Sequence, residues 1–146
     1  MALQPIPDGY HTITPCLVAV GAAKLIDFIT QAFGAEQIDR MDGPDGTVMH
    51  AELRIGDSML MIGESQGEWK PTLSLLHLYV KDVDATYARA VRAGATSMQP
   101  VADQFYGDRK GTVRDSWGNL WSIGTHIEDV APDEMRRRAE AAMKQK

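Results

Sequence analysis

A chain of 146 residues with 44% apolar content is long enough to bury a core of its own, and it reads as one domain over residues 1–146. Its formal charge of −5 excludes the basic stripe that nucleic acid demands, and no apolar run is long enough to span a membrane. Cys16 stands alone, which excludes an internal disulfide, and the first ten residues lack the basic and apolar blocks of a secretory leader, so the expected setting is cytoplasmic.

An apolar run ending at Val20 leads into Leu25, Phe28, Ile29, Ala32 and Phe33, the spacing of one helix face, and Gly34 supplies a left-handed stop. The turn formers Asp42, Gly43, Pro44, Asp45 and Gly46 precede residues 47–55, which alternate strictly. Met49, Ala51, Leu53 and Ile55 are expected on the core face, and Val48, His50, Glu52 and Arg54 on the polar one. Gly56 and Asp57 then turn the chain into residues 58–63, where Leu60 and Ile62 oppose Met59 and Met61. Residues 65–72, with Gly67 and Pro71 and no periodicity, predict a linker.

The same order then returns. Residues 73–80 predict a strand with Leu76, Leu78 and Val80 on one face and Leu75, His77 and Tyr79 on the other. Asp82 is a good N-cap for a helix carrying Val83, Tyr87, Ala90 and Val91, and Gly94 stops it. A strand over 96–102, a loop over 103–110, a strand over 111–115, a turn at Ser116, Trp117 and Gly118, and a strand over 119–125 complete the copy. Val20 and Val80, Gly34 and Gly94, and Ala35 and Ala95 each stand sixty residues apart. A last helix over about 132–145 opens on Pro132, Asp133 and Glu134 and closes on Lys144 and Lys146, a charge order that suits the helix dipole. Its weak apolar stripe predicts packing on a neighbour or a second subunit.

The repeat predicts an α+β fold of two strand-helix-strand-strand-strand modules, over about residues 10–64 and 73–128, with a site in the trough between two half-sheets. The segments TPCLVAVGAAKLIDFITQAFGAE, MHAELRIGDSMLMIGE, LHLYVKDVDATYARAVRAGA and DQFYGDRKGTVRDSWGNLWSIGTH together resemble the vicinal oxygen chelate superfamily of glyoxalase I, bleomycin-resistance proteins and extradiol dioxygenases, in particular its PhnB-like branch. That resemblance implies two βαβββ modules forming a cupped mixed sheet, usually completed in a homodimer.

Metal-dependent members resembling glyoxalase I carry His or Glu on the first and last strands of each module. Carried onto this chain, those places fall at Thr14 or Pro15, Met61, Leu75 and Ser122. Pro and Leu have no donor side chain and a thioether suits soft ions, so no metal and no cofactor is expected there. Two functional classes compete. In one, the chain is a metal-free module that binds a small organic molecule using Met61, Leu75, His77, Tyr79, Tyr106, Arg109 and Ser122. In the other, His50, Glu52 and His77 serve a metal-dependent lyase, isomerase or dioxygenase-type enzyme, with imidazole titrating near neutrality and a carboxylate to orient it. In the loop Phe105, Tyr106, Gly107, Asp108 and Arg109, the guanidinium suits an anionic or carbonyl group, and equally suits a structural ion pair.

Overall fold

A computed structural model describes residues 2–145, so Met1 and Lys146, the second of the closing lysines, lie outside the described residues. The chain divides into two compact units, Met1–Ser74 and Leu75–Lys146. The first holds β1 (Cys16–Ala19), α1 (Ala22–Phe33), β2 (Glu36–Asp42), β3 (Val48–Ile55) and β4 (Ser58–Glu64). Its sheet runs β1-β4-β3-β2, with β1 and β4 parallel and the other neighbours antiparallel. The second holds β5 (Leu75–Tyr79), α2 (Val83–Arg92), β6 (Thr96–Asp103), β7 (Asp108–Arg114), β8 (Leu120–His126) and α3 (Pro132–Lys144). Its sheet runs β5-β8-β7-β6 with the same polarities, so the repeat in sequence is a repeat in topology. This is the expected α+β arrangement of two βαβββ modules with a C-terminal helix. Among the described residues no helix is long and apolar enough to cross a membrane.

In the first unit α1 buries Ala22, Leu25, Ile26, Phe28, Ile29 and Ala32 against Leu17, Ala51, Leu53 and Ile62 of the sheet. Gly34 ends it in the left-handed region, as its place in the pattern predicts. One expected face is reversed at its start. Met41 pairs with His50 and Asp42 with Val48, so Met49 is an extra residue in β3. Such a bulge shifts the alternation by one, sending Val48 into the core and leaving Met49 52% exposed. Strict alternation over 47–55 therefore misassigns both residues.

In the second unit Asp82 caps α2 by accepting from the Ala85 N–H. The helix buries only Val83 and Ala90, while Val91, expected in the stripe, is exposed. The turn after β7 is built on buried Asp115, which accepts from the N–H groups of Trp117 and Asn119, from the Asn119 amide and from the indole of fully buried Trp121. A second correction concerns residues 103–110, expected as a loop. Only Gln104 to Gly107 turn, closed by Gln104 N–H donating to the Asp108 carbonyl, and Asp108 and Arg109 already belong to β7. Gly107 is required there: φ is +101°, and a Cβ would stand 2.2 Å from the Glu128 carbonyl oxygen. Its own carbonyl accepts from the N–H groups of Ile127 and Glu128. From α3, Arg138 donates to the Phe105 carbonyl and pairs with Glu128 and Glu134.

Candidate functional site

Each sheet has one face covered by its helix and one open face, and the ladder registers decide which residues share the open one. In the first unit β1 and β4 place Cys16 beside Met61, and β3 places Glu52 on the other side of Met61. His50 follows Glu52 at the next position of that face, half-buried. The Glu52 carboxylate is not free. The hydroxyl of Tyr10, from the segment before β1, donates to it. Burial and this hydrogen bond push the Tyr10 phenol up to about 12.

The second open face is polar and connected. Parallel pairing of β5 with β8 sets His77 beside Ser122, and His77 Nδ1 lies 2.8 Å from the Ser122 hydroxyl. Gly124, the next residue of that face, makes room for the imidazole: a Cβ there would stand 3.2 Å from His77 Cε1. The outer side of the ring is open, and its edge meets Tyr79 with ring centroids 4.6 Å apart. Partial burial, with the Lys110 charge, holds His77 below its ordinary value against the opposing pull of Asp108. Tyr79 in turn donates to Asp108 Oδ2 at 2.9 Å, and His126 Nδ1 lies 2.8 Å from Oδ1 of the same carboxylate. Burial pushes Asp108 up, but the hydrogen bonds from His126 and Tyr79 outweigh it and leave the carboxyl below its usual range. His126 Nε2 reaches Asp129 at 2.6 Å; bonds to Asp129 and Asp108 raise this imidazole above its ordinary value.

The expected site residues thus separate. Leu75, His77, Tyr79 and Ser122 share the open face of the second sheet, with Leu75 and Tyr79 67% and 65% exposed. Tyr106 packs edge-on to Phe105 and lies near enough to Tyr79 to act on its phenol. Arg109 is elsewhere. Its ladder partner is Thr125, whose hydroxyl accepts from the Val83 N–H of α2, so Arg109 lies on the helix-covered face. There it makes a two-pronged bond to Asp84 and another to Asp103, the structural pairing rather than an open anchor. Met61, His50 and Glu52 belong to the first unit.

The position beside Ser122 is held by His77; Leu75 lies two residues earlier, beside Leu120. At these positions the first unit presents a thiol and a thioether, and the second one imidazole and a serine hydroxyl. Only the thiol and the imidazole are usual ligands of Zn, Ni, Mn or Fe(II), and neither unit supplies more than one of them, short of the three or four protein ligands such a site needs. Among the described residues no three His, Cys, Asp or Glu side chains are arranged to hold a metal ion. Two contributors to the network take roles that the sequence analysis did not assign: Asp108, expected within the candidate loop, and His126. The signal was present: a hairpin turn centred on Trp117 pairs residues equidistant from it, and Asp108 and His126 each lie nine residues away.

The family model described as the glyoxalase/bleomycin resistance protein/dioxygenase superfamily matches residues 11–123. The chain belongs to that superfamily. An uncharacterized protein from Mycobacterium bovis is 39% identical over 135 residues, spanning 85% of this chain and 89% of the relative. Among solved structures, TioX from Micromonospora sp. ML1 aligns with a TM-score of 0.70 at 27% identity, over 80% of this chain and 99% of that one. A PhnB protein from Bacillus cereus aligns with a TM-score of 0.60 at 18% identity, over 79% and 99%, a likeness of superfamily fold alone.

Proposed function

We propose that this chain is a metal-independent binding protein of the superfamily, in the PhnB-like branch, that holds a small organic molecule against the open faces of its sheets and acts as a homodimer. The observation that carries the reading is the open face of the second sheet. It combines exposed apolar and aromatic surface, Leu75 and Tyr79, with a few fixed polar groups, His77, Ser122 and Asp108, which is the composition of a small-molecule site. The enzymatic alternative is less well supported, because Glu52 is occupied by Tyr10 and His77 is engaged by Ser122. Fold membership does not choose between them, since one fold hosts many activities.

Native mass spectrometry of the purified protein, offered a panel of aromatic fragments, tests the reading. The expected species is a dimer that takes up organic fragments and no stoichiometric divalent metal. A monomer would remove the dimer from the reading. One metal ion per chain, lost in His77→Ala or His50→Ala, would replace the binding protein with the enzyme.

A further inference from the structure

We infer that the ligand bound on the second open face is an organic oxyanion, held by the Lys110 ammonium beside the His77–Ser122 pair. This deepens the small-molecule reading above and rests on it. Lys110 pairs with Gly124 across the β7–β8 ladder, and Tyr79 pairs with Gly124 from the other side. The side chains of Lys110 and Tyr79 therefore flank a position that has none, and His77 leans over it. The imidazole thus covers Gly124 between the two, so the open face carries a cation on one side of the ring and an aromatic side chain on the other.

The charges on this face favour an anion. Lys110 is half-buried, whereas the other described lysines are exposed, and among the described residues it has no ion-pair partner. The carboxylate nearest to it on the face, Asp108, is already satisfied by Tyr79 and by His126. From β7 the face also presents Arg114, exposed at the far end, and from β8 His126, which is tied to Asp129. From β5 it presents His77, and α2 contributes nothing because it covers the opposite face. A protein with a net charge of −5 thus keeps a half-buried ammonium without an ion pair beside the His77 ring. In the tautomer in which the Ser122 hydroxyl donates to Nδ1, a neutral His77 carries its proton on Nε2 and offers a second donor. A half-buried ammonium and, in that tautomer, an N–H on the same open face suit a carboxylate or phosphonate oxygen, and the exposed ring of Tyr79 suits an attached apolar group.

Calorimetric titration at fixed ionic strength with benzoate, phenylphosphonate and neutral benzamide tests this. Either anion is expected to bind at least about tenfold more tightly than benzamide, the scale of one hydrogen bond to a charged group. Whichever anion binds better names the oxyanion as carboxylate or phosphonate. Lys110→Met should reduce the anions to the level of benzamide, and Lys110→Arg should rescue them. Amide shifts induced by the better anion in the unaltered protein should centre on His77, Lys110 and Gly124, a readout that does not depend on any variant folding. Equal binding of all three probes, or shifts centred elsewhere, would overturn the oxyanion and leave the small-molecule reading standing. Binding of none would overturn both.

Discussion

The two units share strand order and ladder polarity, yet they fasten their helices by different means. In the first, α1 buries six side chains, and its N-terminus is closed by Glu64, whose carboxylate accepts from the N–H groups of Gly21 and Ala22. In the second, α2 buries two side chains. It is held instead by its Asp82 cap, by Arg109 reaching Asp84, by the Thr125 hydroxyl, and by Tyr87, which fits where Gly111 has no Cβ. One topology therefore tolerates either an apolar seam or a set of polar tethers. The open faces differ as well: the first sets a thiol and a thioether beside His50 and the Tyr10–Glu52 pair, and the second carries a polar network joined from Asp129 through His126 and Asp108 to Tyr79, with His77 on Ser122 beside it.

The largest effect should come from the apolar seam. Leu25→Ala in α1 is expected to cost about 2–5 kcal/mol, against about 1–2 kcal/mol for Val83→Ala in α2, which is as deeply buried but loses less apolar side chain. Urea denaturation of both variants measures this. Equal losses would show that the second unit depends on its apolar contacts as much as the first, and the contrast would collapse.

The caps give the next, smaller contrast. Glu64 offers a charged acceptor to two N–H groups at the positive end of α1, and its removal in Glu64→Ala should cost about 2 kcal/mol. Thr125→Val removes a neutral acceptor from the Val83 N–H of α2 together with the donor to the Val80 carbonyl, and should cost about 1 kcal/mol. The reverse order in thermal melting would mean that the helix of the second unit is the more dependent on its terminus.

The topology was readable because two signals agreed, the sixty-residue repeat of Val, Gly and Ala positions and the change from helical to alternating periodicity within each copy. The bulge at Met49 was not readable, because it is set by how β2 pairs with β3 and leaves no mark in the alternation itself. At the site, Leu75, His77 and Tyr79 could be assigned to one face from alternation alone. That His77 stands beside Ser122 follows from a parallel register, which joins strands distant in sequence and so has no local signature. The choice between the two readings of Arg109 was closed to the sequence for a related reason. The residue's role depends on whether β7 begins at Asp108 or at Gly111, and the early start puts the guanidinium on the helix side with Asp84 and Asp103.

The smallest effect, and the most selective, is a pH dependence confined to the second unit. His126 is raised above its ordinary value by Asp129 and Asp108, so the stability it contributes is complete below the unfolded value near 6.5 and is lost as the pH rises through the folded one. Asp108 is shifted the other way. Its contribution is present above the ordinary carboxylate value and disappears only as the pH falls through the lowered one. Between those limits, at about pH 5.5, both are in place. The counterpart in the first unit, Tyr10 on Glu52, keeps its proton throughout, since the phenol is pushed up to about 12. Raising the pH from about 5.5 to about 9 should therefore lower the urea midpoint of the unaltered protein by more than that of His126→Gln, in which the titrating group is gone. The difference should be modest because His126 is largely exposed and its ion pairs are screened. Tyr10→Phe should leave it unchanged. A pH dependence in His126→Gln parallel to that of the unaltered protein would assign the titration to some other group, and the polar network would then lose its claim to distinguish the second unit from the first.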